Sequence, residues 1–152
     1  MDSFEFHSEP IQKLWLDAYG HLNEAYYLVP FTNATWKLQD HFGIGEEYFD
    51  QTTCALYTVE THLRYLHEVR YPATVNIKSF IVDSDTKRIW FAHQMFDGEH
   101  LCATAEFVGL HYNTDEKRTA DMPLKTCEML IAEAVKERPS WIGRQLGLST
   151  RT

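Results

Sequence analysis

A chain of 152 residues is long enough to bury a core and short enough that a single domain, 1–152, is the default reading. Hydrophobic residues at 44% and charged residues at 24% lie near globular averages, which excludes a disordered chain. A formal charge of -8 with no basic patch excludes general nucleic-acid binding, and no apolar stretch is long enough to span a bilayer.

Residues 11–16 are expected to form a first short strand running into Asp17-Ala18-Tyr19-Gly20-His21-Leu22-Asn23, where a glycine and an asparagine mark a turn. A helix should follow. Asn23 is its N-cap, Glu24 sits near the positive dipole end, and Tyr27, Phe31, Ala34 and Leu38 recur at helical spacing. Gly43 is a natural stop, and Pro30 predicts a kink or a first turn of different pitch. After a loop around 45–51 the pattern changes to period two. Over 54–66 the odd positions Ala55, Tyr57, Val59, Leu63 and Tyr65 form an apolar face expected to pack, with Glu60, His62 and Arg64 on the other. Further strands are expected at 74–82, 88–96 and 101–112, the last two joined by the hairpin signal Asp97-Gly98 in an antiparallel meander. Good helix formers over 124–138, before Pro139, predict a C-terminal helix. Strand, long helix, then antiparallel strands is an α+β order: one apolar helix against a curved five-stranded sheet.

Three blocks carry a family resemblance. Trp15-Leu16-Asp17-Ala18-Tyr19-Gly20-His21-Leu22-Asn23-Glu24-Ala25-Tyr26-Tyr27-Leu28 resembles the strand-to-helix signature of the 4-hydroxybenzoyl-CoA thioesterase type of hot-dog protein. The blocks Tyr57-Thr58-Val59-Glu60-Thr61-His62-Leu63-Arg64-Tyr65-Leu66 and Asp85-Thr86-Lys87-Arg88-Ile89, the latter followed by Ala103-Thr104-Ala105-Glu106, are similar to its betainyl-CoA thioesterase branch, also found fused to carnitine dehydrogenases. The branch commonly has Tyr-Asn where this chain has Ala18-Tyr19, a position expected to lie close to the acyl group. The resemblance implies a hot-dog fold, with a five-stranded antiparallel sheet wrapped around one long central helix. It also implies acyl-CoA hydrolysis and a homodimer or homotetramer with sites between subunits.

Thioester hydrolysis needs a carboxylate that attacks the carbonyl or deprotonates a water, and donors aimed at the oxyanion. Asp17 precedes a helix amino terminus by one short turn, so both needs are met locally, with Asp17, His21, Asn23 and Glu24 as the catalytic group and Glu60 as a second carboxylate. The resemblance implies that a backbone N–H near Asn23 or Glu24 polarises the carbonyl. The plainer reading is that Asp17 caps a turn while His21 and Asn23 order the loop. A quaternary ammonium acyl group is held by aromatic faces near negative charge, which makes Tyr19, Tyr26, Tyr27, Tyr65 and Trp90 candidates, although aromatic residues usually fill cores. The CoA phosphates need local positive charge, for which Arg64, Lys87, Arg88 and Arg118 are candidates.

No metal-ligand spacing occurs among the eight histidines, and GxSxG, P-loop and GxGxxG motifs are absent; no metal, cofactor, membrane or nucleic-acid partner is expected beyond the CoA ester itself. Cys54, Cys102 and Cys127, an odd number without CxxC spacing, read as free thiols. The start MDSFEFHSEP lacks the regions of a signal peptide, so a cytoplasmic location is expected. Two other classes stay open: a non-catalytic acyl-CoA-binding or companion domain, and a hot-dog dehydratase or hydratase.

Overall fold

A computed structural model of the chain describes residues 3–148. Strands β1 (Phe4–Pro10), β2 (Cys54–Tyr65), β3 (Thr74–Ser84), β4 (Arg88–Asp97), β5 (His100–Asn113) and the two-residue β6 (Arg118–Thr119) form one sheet in the order β1-β3-β4-β5-β2, with β6 added on β5. Every strand pair is antiparallel. Helix α1 (Leu28–His41) lies against it, α2 (Glu46–Thr52) precedes β2, and α3 (Leu124–Glu133) follows the sheet. This is the hot-dog arrangement, with a sixth short strand beyond the five expected.

Helix α1 and the turn before it bury the residues the spacing selects: Tyr27, Phe31, Ala34 and Leu38 share one core with Phe91, Met95, Ala103, Ala105 and Phe107 of the sheet. Phe91 and Phe107 stack at 5.1 Å, and such offset pairs add to the hydrophobic gain of burial. Asn23 caps the entry, its Oδ1 accepting from the Ala25 N–H at 3.0 Å. The first turn, Glu24–Tyr27, is a 3-10 helix, and Pro30 falls in the opening turn of α1, where its missing N–H would have had no partner. Gly43, at φ +72, ends the helix in the left-handed region.

Four expectations are corrected. The first strand is Phe4–Pro10, not 11–16; as an edge strand paired with β3 alone it tolerates Glu5, Glu9 and a terminal Pro10, while Lys13–Trp15 makes a 3-10 turn with Leu14 90% exposed. The loop at 45–51 is largely α2, started by Gly45 with Glu46 and Glu47 at its positive end and closed by Thr53 at φ 58. The C-terminal helix stops at Glu133 because Ala134 turns extended and bridges to Ile81; the Val135 N–H donates to Ile81 O at 2.9 Å, and the chain then runs as a strap across the outer face of the sheet.

The fourth correction concerns β2. Register passes from Thr58↔Gly109 to Glu60↔Val108, so Val59 is an extra residue, and a bulge reverses which positions face the helix. Cys54 and Leu56 point inward before it and Leu63 after it, leaving Tyr57 46% and Val59 57% exposed rather than packed. Glu60, His62 and Arg64 consequently share the outer face. β2 is also the outer edge of the sheet, paired with β5 alone.

Candidate active site

The Asp17 turn is built by its own backbone. The Asp17 N–H donates to His21 O at 2.9 Å and the Gly20 N–H to Asp17 O at 3.2 Å, with Gly20 at φ +84 as such a tight reversal requires. Asp17 Oδ1 accepts from the Tyr19 N–H at 2.8 Å and the His21 N–H at 3.3 Å, whereas Oδ2 accepts no hydrogen bond among the described residues. One oxygen fixes the side chain and the other is uncommitted. The loop is anchored by the Leu22 N–H on Val69 O at 2.7 Å and the Asn23 N–H on Trp15 O at 2.8 Å.

Asp17, Asn23 and Glu24 line one open cleft of about 530 Å³ with Tyr19, Tyr27 and Tyr65. The Tyr65 hydroxyl donates to Glu24 O at 2.9 Å, tying β2 to the helix start, and its ring meets Tyr27 edge-on at 5.0 Å. Burial raises the pKa of both phenols, that of Tyr65 being raised further by the Glu24 carboxylate, so both remain protonated donors at neutral pH. Glu24 opens the helix, so its N–H is one of the donors that no intrahelical carbonyl can satisfy. No lysine or arginine lines the cleft, whereas Asp17, Glu24 and Glu68 do.

His21 is turned aside: its Nε2 lies 2.9 Å from Glu68 Oε2, and Arg70 holds the other Glu68 oxygen at 2.9 Å. It orders the loop beside Asp17 rather than lining the cleft. Tyr26 stacks on Trp15 at 6.2 Å, outside the lining. Glu60 and Trp90 are on the outer face, where with His62 and Glu106 they line a separate pocket of about 320 Å³. Within one copy the structure therefore does not bring Glu60 or Trp90 to Asp17. Among the basic candidates, Lys87 lies 4.0 Å from Asp121, Arg88 pairs with Asp85 at 2.6 Å and Arg118 with Glu116 at 2.5 Å; Arg64 has no such partner among the described residues. The Arg88 hydrogen bond, more than any other influence, holds the Asp85 carboxyl below its usual range.

Glu68, Glu106 and Arg144 were not singled out from sequence. Glu106 had a signal, a charge on a strand whose neighbours are apolar; Arg144 had none.

The family model described as the thioesterase-like superfamily matches residues 11–138, which spans both the Asp17 turn and the sheet. The chain belongs to this superfamily. It is 33% identical to a betainyl-CoA thioesterase of Pseudomonas aeruginosa over 91% of each chain. It is also 36% identical, over 77% of its length, to an L-carnitine dehydrogenase/betainyl-CoA thioesterase of Agrobacterium fabrum, of which it spans 24%. Among solved structures, a Staphylococcus aureus protein determined in complex with CoA superposes with a TM-score of 0.85 at 20% identity, covering 98% of each chain. A Pseudomonas putida protein assigned as a candidate thioesterase gives 0.82 at 26% identity, covering 98% of this chain and 99% of its own.

Proposed function

We propose that the protein is an acyl-CoA thioesterase whose substrate is betainyl-CoA, hydrolysed to betaine and free CoA. The observation that carries the hydrolytic reading is that Asp17, with one oxygen uncommitted, lines the same cleft as the first residues of the central helix. A thioester seated there would present its carbonyl oxygen to the Glu24 N–H and its carbonyl carbon to Asp17. The carboxylate either adds to that carbon, expelling the thiolate and leaving a mixed anhydride for water to open, or removes a proton from water as the water adds. Both routes need the oxyanion donor, and losing one such donor costs about 3 kcal/mol of transition-state stabilisation. No metal or prosthetic group is required by either.

The betainyl group is supported by the named relatives and by the charge of the cleft. In betainyl-CoA the quaternary nitrogen is one methylene from the reacting carbonyl, so the groups that hold the cation must lie in the same cleft as Asp17. Tyr19, Tyr65 and the acidic lining meet that requirement. A homodimer belongs to the same reading, since β2 is a 12-residue edge strand with exposed Tyr57 and Val59, and a second copy would cover it. A cytoplasmic location accords with the odd, unspaced cysteines.

Purified protein should release thiol from betainyl-CoA, and Asp17→Asn should lower kcat by roughly 10³-fold or more while leaving ester binding within a few-fold. Full activity in Asp17→Asn would remove Asp17 from the chemistry. Binding without thiol release by the parent protein would instead favour the companion-domain reading, and hydration of an enoyl-CoA the dehydratase. Sedimentation that finds a fully active monomer would overturn the dimer.

A further inference from the structure

A CoA thioester ends in a diphosphate and a 3′-phosphate, and the carboxylate-lined Asp17 cleft repels that end of the molecule. The nucleotide needs a separate cationic locus. Arg70, Arg88, Arg118 and Arg138 are each committed to a carboxylate, of Glu68, Asp85, Glu116 and Asp83 respectively. Arg64 and Arg144 enter no ion pair among the described residues, and both line one open cleft of about 440 Å³. Arg144 also lines the outer-face pocket of Glu60 and Glu106 without an ion pair to either, and two cationic groups lining one cleft favour an anion that fills the space between them.

The position of Arg144 is built, not incidental. The strap that carries it is seated by Trp141, which meets Phe80 edge-on at 5.9 Å in an apolar cluster with Val82 and Ala92. It is held further by Arg138, 4.8 Å above the Trp90 ring and 2.8 Å from Asp83. One residue before Arg144, the Gly143 N–H donates at 2.8 Å to Glu106, a carboxylate only 7% exposed. Gly143 takes φ +76, so the turn that delivers Arg144 is one that favours glycine. Arg64 arrives from the other side, on β2 directly before Tyr65, whose ring faces the Asp17 cleft; consecutive residues of one strand end thus serve the two clefts.

We propose that Arg64 and Arg144 form a phosphate-binding site that takes the nucleotide end of the CoA thioester. The proposal rests on the thioesterase reading for its ligand, but the site itself can be tested without turnover. Arg144 lies beyond residues 11–138 matched by the family model.

The test uses the full chain and the variants Arg64→Gln, Arg144→Gln and the double variant, with Lys125→Gln on α3 as a control of equal charge change. Steady-state kinetics with betainyl-CoA and with betainyl-pantetheine, which lacks the nucleotide, are compared with calorimetric titration of adenosine 3′,5′-bisphosphate. KM for the CoA ester should rise about tenfold in each single variant and about 100-fold in the double, with kcat unchanged. The pantetheine ester should show the same KM in every protein, and bisphosphate affinity should fall in parallel with the loss on the CoA ester. Should Arg64→Gln not fold, Arg144→Gln on the exposed strap carries the same expectation. Unchanged bisphosphate affinity, or an equal loss in Lys125→Gln, overturns the site. Inorganic phosphate binding as tightly as the bisphosphate overturns the nucleotide assignment. If the parent protein hydrolyses no CoA ester, the thioesterase reading fails while the titration still decides the site.

Discussion

Acid should destabilise this protein through one buried histidine. His93 on β4 is fully buried, with Nδ1 2.7 Å from Ser79 Oγ, Nε2 2.9 Å from Thr35 Oγ1 and its ring stacked on Phe31 at 5.8 Å. The Thr35 hydroxyl donates its proton to Phe31 O at 3.0 Å, so Thr35 Oγ1 accepts from Nε2–H and Ser79 donates to Nδ1. The neutral ring is thereby satisfied on both sides, and a second proton has no acceptor. Burial first, and the neighbouring His7 second, push the pKa down to about 3 from 6.5. Between those two values the unfolded chain binds a proton that the folded chain refuses, so stability is complete above about pH 6.5 and is lost as the pH falls toward 3. At about 1.4 kcal/mol for each pH unit, the loss from His93 is about 2 kcal/mol at pH 5 and roughly 5 kcal/mol once the folded-state pKa is reached. Urea unfolding from pH 7 to 4 measures it. Compared with the parent, His93→Gln should be less stable at pH 7 by about 1–3 kcal/mol through imperfect replacement of two buried hydrogen bonds, yet its stability should fall less steeply with acid, by nearly one proton. Equal slopes in the two proteins would refute the reasoning, because every other titrating group is common to both.

Gly20→Ala meets open space but must hold φ +84, so a cost of about 1–2 kcal/mol is expected from backbone strain alone, with kcat reduced at least tenfold if the turn relaxes and carries Asp17 with it; denaturation and thiol release measure the two effects. Tyr65→Phe removes the bond to the Glu24 carbonyl and should lower stability by about 1 kcal/mol and kcat several-fold, with KM for the pantetheine ester little changed. Gly109→Ala would place a Cβ 2.7 Å from the Leu56 side chain beside the β2 bulge, and an overpacking loss of about 1–3 kcal/mol should appear in thermal and urea unfolding alike.

The helix and the Asp17 turn were legible in the sequence because their determinants are local. Asn23, Phe31, Ala34, Leu38 and Gly43 act within one element, and Asp17 to Glu24 is a contiguous run whose geometry follows from a glycine turn and a cap. The Asp97-Gly98 hairpin is local too, with Gly98 at φ +58. What escaped depends on partners. Phe4–Pro10 carries too many charges to read as a buried strand, yet an edge position asks for only one neighbour. The strap has no periodicity at all; its course is set by the fit of Trp141 against Phe80 and by the single carboxylate of Glu106. The pairing of Arg64 with Arg144 joins residues far apart in the chain, and nothing in either segment alone announces the other.

The bulge at Val59 shows why β2 misled a period-two reading and why the fold needs the irregularity. Cys54 and Leu56 are even-numbered and point inward; had the alternation continued, Glu60, His62 and Arg64 would have turned inward too, where uncompensated charges cost several kcal/mol each. The extra residue moves those three outward and brings Leu63 into the core and Tyr65 against Tyr27. One inserted residue therefore separates the two kinds of recognition along a single strand. Tyr65 is delivered to the acidic, aromatic cleft that suits a cationic acyl group, and Arg64 to the opposite face, where unneutralised guanidinium groups suit a phosphate. A zwitterionic substrate such as an aminoacyl-type CoA ester carries both charges on one molecule, and a strand whose neighbouring side chains point to opposite faces keeps the two binding fields apart.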